Sequence, residues 1–119
     1  MPDSNSKEVF DIEEALNNVG GSQELLCELS QTLQDELPGL LSLARKALKS
    51  GDAKAVNAAT HSIKGSVTPF AAKLAYDAAW KLEETSSKGD LNNADENFKR
   101  LDSELKKLVS ALDQALSDV

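Results

Sequence analysis

The chain has little that would permit covalent cross-links, metal centres or membrane insertion. Only one of its 119 residues is a cysteine, which excludes an internal disulfide and a metal site built from cysteines. No stretch approaches the roughly 18 consecutive apolar residues that a membrane-spanning helix requires, and no signal-peptide pattern opens the chain. We therefore expect a cytoplasmic protein or domain that is not embedded in a membrane.

Positive charge and aromatic residues are also scarce. The formal net charge is −7 and aromatic residues make up 4% of the chain. A nucleic-acid-binding protein needs a positive surface to displace the counterions of the phosphates, so this charge balance argues against nucleic-acid binding. Leu, Ala, Lys, Glu and Asp are abundant instead, and most of these residues favour helices.

Apolar residues recur at helical spacing along almost the whole chain, and no segment alternates as a strand would. Residues 1–8 lack apolar anchors and are predicted to be a flexible tail, whereas residues 9–118 are predicted to form one helical bundle. Long amphipathic segments with short connections imply an all-α, up-and-down antiparallel four-helix bundle. An additional short N-terminal helix is expected to act as a lid.

Capping and turn residues predict where the helices begin and end. Asp11 followed by Glu14 resembles a capping box, which starts the short helix that ends near residue 18. Ser22 is an N-cap for a leucine-rich helix, which Pro38 is expected to kink rather than end, because the apolar pattern resumes at once. Three further helices are predicted over about 53–67, over about 70–87 and from a cap at Asp90 to about residue 115.

His61 is the only histidine, and the helical wheel indicates that it faces outward. The core positions of its helix are Val56, Ala59, Ile63 and Val67, which fall within a sector of roughly 80°. His61 lies roughly 155° from the centre of that sector. The residues that share its side are Asn57, Lys64, Gly65 and Thr68. This excludes a core histidine and leaves an ordinary surface residue or a functional one.

Lys64 and Gly65 neighbour His61 on the helix surface, at positions i+3 and i+4. A lysine one turn away offers an ammonium that can neutralise a phosphoryl group on the imidazole. Glycine inside a helix costs about 1 kcal/mol relative to alanine, so something must offset Gly65. Either Gly65 begins the helix break near Pro69, or its missing side chain lets a second protein approach His61. The periodicity favours neither explanation.

Residues 61–66, His-Ser-Ile-Lys-Gly-Ser, resemble the signature His-x-(Leu/Ile)-Lys-Gly-(Ser/Ala) of histidine-containing phosphotransfer (HPt) domains. The resemblance extends from a Phe-Asp and Gly-Gly opening (Phe10 to Gly21), through the Leu-Pro break at 37–38, to the Gly-Asp turn before the histidine helix. One departure is Ala71-Ala72, where the family usually has Gly-Ala. This change lies in the tight turn that follows the histidine helix.

The resemblance implies a role for each residue of the site. His61 would accept the phosphoryl group at the ring nitrogen farther from the backbone, Lys64 would stabilise it, and Gly65 would leave room for a docking partner. Glu83 falls where this family often hydrogen-bonds the histidine, although a solvated surface acid is an equal alternative. The remaining predicted partner-binding residues are Asn57, Thr68 and Lys73, with Lys81 at the edge of the surface.

The implied function is reversible phosphoryl exchange with the aspartate of a receiver domain in a two-component phosphorelay. Such a protein is a phosphocarrier rather than an enzyme, needs no cofactor or metal of its own, and relies on Mg²⁺ held by the receiver. We expect a monomer whose partners are a receiver domain, a histidine kinase or both. The alternatives are a binding-only bundle, the substrate domain of a histidine kinase, and a purely structural bundle.

Overall fold

The structure, a computed structural model, describes residues 6–117. No strand occurs in that range, and its helices are joined by short turns. The helices are α1 (Ser6–Val9), α2 (Ile12–Asn18), α3 (Gln23–Ser50), α4 (Ala53–Val67), α5 (Lys73–Ser87) and α6 (Ala94–Leu116), with a 3₁₀ turn at Thr68–Phe70 between α4 and α5. Within the described range, none of these helices has an apolar stretch long enough to cross a bilayer.

The four long helices pack in a closed ring, and the predicted all-α bundle is confirmed. α3 packs on α4, α4 on α5, α5 on α6, and α6 returns to α3. Each helix turns its apolar stripe inward, which removes those side chains from water and supplies the main driving force for folding. The largest fully buried side chains include Phe70, Leu26, Leu33, Ile63, Leu82, Leu101, Leu105, Leu108 and Leu112.

Capping side chains begin the first helices as the sequence predicts. Asp11 Oδ1 accepts from the Glu14 backbone N–H at 3.2 Å, and Ser22 Oγ accepts from the Leu25 N–H at 3.0 Å. α3 continues through Pro38, so the expectation that the helix does not end there is confirmed. Pro38 lies on the exposed side of α3, where water is available to the carbonyl that the missing N–H would have bonded.

The predicted flexible tail of residues 1–8 is wrong at its C-terminal end. Ser6–Val9 form one helical turn that packs against α5 and α6, and Phe10 is buried behind it. The remainder of that tail, residues 1–5, lies outside the described residues, as does residue 118 at the predicted end of the bundle. The lid helix α2 packs on the 3₁₀ turn, where Asn18 Nδ2 donates to the Pro69 carbonyl at 3.1 Å.

Two predicted helix starts are too early. α5 begins at Lys73 rather than near residue 70, because the buried Phe70 belongs to the 3₁₀ turn and Ala71 adopts the left-handed conformation with φ 52° and ψ 43°. Alanine resists that conformation and glycine does not, which accounts for the glycine usual at this position in the HPt pattern. α6 begins at Ala94 rather than after a cap at Asp90, whose carboxylate accepts from the Asn92 N–H within the turn.

Candidate functional site

His61 lies near the middle of α4 with its side chain 68% exposed. The positions that the wheel assigns to the core of α4 are buried; they are Val56, Ala59, Ile63 and Val67. Because these residues anchor one side of the helix in the bundle, the opposite side must face solvent. The outward orientation of His61 therefore follows from the packing of α4.

Glu83 on α5 brings the predicted histidine and lysine into one cluster. Its Oε2 lies 2.5 Å from His61 Nδ1, and its Oε1 lies 2.7 Å from Lys64 Nζ. Each carboxylate oxygen thus contacts one of the two side chains, which stand one helical turn apart on α4. We call these three residues the His61–Glu83–Lys64 cluster. The sequence could not distinguish this contact from a solvated surface acid at position 83.

The charges in the cluster determine which imidazole nitrogen is free. Partial burial alone would raise the pKa of Glu83, but the hydrogen bonds from Lys64 and His61 outweigh it and lower that pKa below its ordinary value. Glu83 is therefore ionised near neutral pH and can only accept hydrogen bonds. His61 Nδ1 must then be the protonated nitrogen, and in the neutral ring the lone pair available for reaction is on Nε2.

Lys64 reaches from α4 to two residues of α5, Glu83 and Tyr76. Long side chains on a helix point back toward its N-terminus, which directs Lys64 toward His61. Its side chain is 20% exposed, and its ammonium lies 5.8 Å from the centre of the Tyr76 ring. The hydrogen bond to Glu83 is the main cause that raises the pKa of Lys64. The lysine is thus charged and engaged with Glu83, and its role in stabilising a phosphoryl group stays a prediction.

The predicted partner-binding side chains make contacts within the protein. Asn57 Nδ2 donates to the Glu83 backbone carbonyl at 2.8 Å, which fastens α5 to α4 beside the cluster. The Thr68 hydroxyl donates to the Lys64 carbonyl at 2.8 Å, and Lys73 pairs with Asp77 at 2.9 Å. Thr68 and Lys73 are exposed and Asn57 is partly buried. Their role in binding a partner stays a prediction.

Gly65 lies inside α4, and the helix continues for two residues beyond it. A Cβ built on Gly65 meets no atom within 4 Å, and the residue is exposed. Nothing within the described residues therefore requires glycine here, and the helix does not break at this point. The approach of another molecule over Gly65 stays a prediction.

The Hpt domain family model matches residues 28–115, which include the whole cluster. The chain belongs to the Hpt domain family. Members of this family take part in histidine phosphotransfer in phosphorelays. No curated protein matches the sequence of this Hpt domain.

Two solved structures share the fold of this Hpt domain. Histidine-containing phosphotransfer protein B (HptB) from Pseudomonas aeruginosa is 22% identical, with a TM-score of 0.84 over 92% of this chain and 96% of that one. The HPT domain of a sensor hybrid histidine kinase from Shewanella is 19% identical, with a TM-score of 0.82 over 94% and 97% of the two chains. At these identities the likeness shows the fold alone.

The cost of the glycine in α4 of this Hpt domain can be measured directly. We expect Gly65→Ala to raise the free energy of unfolding by about 0.5–1 kcal/mol, because alanine loses less conformational freedom in a helix. Gly39→Ala is the matched control, since Gly39 is also exposed inside a helix with nothing within 4 Å of a built Cβ. Urea unfolding of both variants is the measurement, and a destabilised Gly65→Ala alone would reveal a structural need for glycine.

Proposed function

We propose that His61 accepts a phosphoryl group at Nε2 and exchanges it with the aspartate of a receiver domain in a two-component phosphorelay. The contact between Glu83 Oε2 and His61 Nδ1 is the observation that carries this proposal. It holds the proton on Nδ1 and leaves the lone pair on Nε2, in a ring that is mostly exposed to solvent. An ordinary surface histidine would have no such fixed tautomer.

The transfer is a displacement at phosphorus. The Nε2 lone pair forms the new N–P bond while the bond between phosphorus and the aspartyl oxygen of the receiver breaks, and the aspartate leaves as a carboxylate. Nδ1 keeps its proton, so the ring becomes a cation as the N–P bond forms. Glu83 faces that developing positive charge from 2.5 Å and stabilises it. The reverse steps return the phosphoryl group to a second receiver aspartate.

Lys64 supplies a positive charge to face the phosphoryl group. The incoming phosphoryl group carries about two negative charges near neutral pH. The Lys64 ammonium lies within one flexible side chain of His61 and can turn from Glu83 Oε1 to a phosphoryl oxygen. No cofactor or metal enters this chemistry from the carrier's side, and Mg²⁺ belongs to the receiver. The protein acts as a phosphocarrier: it positions the group and neutralises its charge.

The distribution of charge supports an acidic partner surface. Residues 53–87, which comprise α4, α5 and the turn between them, contain four lysines and three carboxylates. Their net charge is +1 against −7 for the whole chain, so the remaining residues carry −8. A receiver presents its acid cluster around the phosphorylated aspartate, and like charge elsewhere on the bundle would repel it. The helices that bear His61 are therefore the favoured approach.

The proposal is tested by incubating the protein with a phosphorylated receiver domain from the same organism. We expect the label to move to the protein as phosphate that is labile in acid and stable in base, the behaviour of a phosphoramidate bond. Label gained only from a histidine kinase and ATP would favour a kinase substrate domain. No label from several receivers and kinases, with the helical fold intact, would favour a bundle that docks without transfer.

Removing the charge of Glu83 is expected to slow phosphoryl uptake. In Glu83→Gln the amide oxygen still accepts from Nδ1, but the ring cation that forms during transfer loses its anionic partner. We expect a rate about tenfold lower, equivalent to roughly 1.4 kcal/mol of lost stabilisation of the transition state. Rapid-quench labelling measures this rate. Glu84→Gln, on the adjacent position of α5, is the control, and equal rates for both variants would contradict the role of Glu83.

A further inference from the structure

We propose that Tyr76 is a positioning residue that holds the Lys64 ammonium beside His61. This inference rests on the proposed function of the cluster and adds a member that the HPt signature does not contain. Tyr76 would act through Lys64, without contact to the phosphoryl group. It would keep the lysine in place while the ammonium moves from the Glu83 carboxylate to the phosphoryl group.

Both contacts of the Lys64 ammonium come from one face of α5. Tyr76 and Glu83 are seven residues apart, close to two helical turns, so their side chains project from the same side of the helix. Glu83 Oε1 contacts the ammonium at 2.7 Å and the Tyr76 ring centre lies 5.8 Å from it. A cation within about 6 Å of an aromatic ring centre is attracted by the negative charge above the ring.

Tyr76 does not have the burial of a core residue. It is 37% exposed, whereas Ala75, Ala79 and Leu82 fill the core face of α5. Its ring instead faces the ammonium of Lys64, whose long side chain is 20% exposed. A free lysine side chain has many rotamers and loses them when it binds an anion, which costs conformational entropy. A contact that already restricts Lys64 lowers that cost.

A neutral ring is a suitable second partner for this lysine. When Lys64 turns toward the phosphoryl group it gives up its hydrogen bond to Glu83, and the ring attraction can persist through that change. A second carboxylate in place of Tyr76 would also hold the ammonium, but it would repel the incoming phosphoryl group. The aromatic ring attracts the cation without adding a negative charge.

The test compares Tyr76→Leu and Tyr76→Phe with phosphoramidate as the phosphoryl donor. This small donor needs no docking surface: its P–N bond breaks, ammonia leaves and Nε2 forms the new bond. We expect Tyr76→Leu to lower the labelling rate about two- to fivefold, the range that an exposed cation–π contact supports. Tyr76→Phe retains the ring and should keep the wild-type rate. Equal rates for all three proteins would overturn the inference.

A merely structural role is separated by repeating Tyr76→Leu in a Lys64→Ala background. If Tyr76 acts through Lys64, adding Tyr76→Leu to Lys64→Ala has no further effect on the labelling rate. The same loss with and without Lys64 would overturn the inference.

NMR provides a readout that does not depend on transfer. The ring should shift the Lys64 Hε resonances upfield in wild type and Tyr76→Phe but not in Tyr76→Leu. Unshifted resonances in the wild type would overturn the Tyr76 contact. Absence of label on the wild type from phosphoramidate and from phosphorylated receivers alike, with these shifts present, would instead overturn the proposed function of His61.

Discussion

Replacing His61 with glutamine is expected to abolish phosphoryl uptake. The glutamine amide can still donate a hydrogen bond to Glu83, but its nitrogen has no lone pair basic enough to attack phosphorus. The side chain is 68% exposed and leaves the core untouched, so the fold should be retained. Loss of label therefore reports on chemistry rather than on unfolding.

The measurement is the acid-labile, base-stable label that the protein gains from a phosphorylated receiver and, separately, from phosphoramidate. Thermal unfolding of wild type and His61→Gln provides the control, and the two transitions should coincide. Because His61 is the only histidine, any such label that persists on His61→Gln would contradict the assignment of the acceptor. Loss of label with both donors and an unchanged unfolding transition would establish it.

Gly65→Gln is expected to block transfer from a receiver domain while it spares uptake from phosphoramidate. Gly65 is exposed and a Cβ built on it meets no atom within 4 Å, so we expect the new side chain to extend into solvent and the bundle to be retained. It stands one turn from His61, where a docked receiver must bring its aspartyl phosphate within bonding distance of Nε2. Displacement of the reacting groups by about 1 Å can cost about 100-fold in rate, and we expect at least that loss.

Gly39→Gln is the control for Gly65→Gln, because it places the same side chain on an exposed helical glycine of α3. The ratio of receiver-dependent to phosphoramidate-dependent labelling should fall about 100-fold in Gly65→Gln and stay within about twofold of wild type in Gly39→Gln. A parallel loss with both donors in Gly65→Gln would mean that the substitution disturbs His61 itself. Unchanged transfer from the receiver would show that the partner does not approach over Gly65.

Local features of this protein follow from the order of its residues. The caps at Asp11 and Ser22 depend on a side chain and a backbone N–H three residues away, so they are visible in the sequence. The outward direction of His61 depends only on the helical repeat and on which neighbours are apolar. Where the backbone conformation depends on distant packing, as at Ala71 after the buried Phe70, the predicted start of the next helix was wrong.

The tertiary structure decided how the site is assembled. Glu83 lies 22 positions after His61. Whether its carboxylate reaches the imidazole ring depends on how α5 is rotated about its axis and how far it is shifted along α4. The Asn57 hydrogen bond to the Glu83 carbonyl and the Tyr76 contact with Lys64 depend on the same packing. Residues at i+3 and i+4 meet in any helix, whereas residues on different helices meet only after the core has set the helices against each other. The order of the residues alone therefore indicated the bundle and an outward-facing His61 with Lys64 one turn away, whereas the contact between Glu83 and Nδ1 of His61 arises only from the packing of α5 on α4.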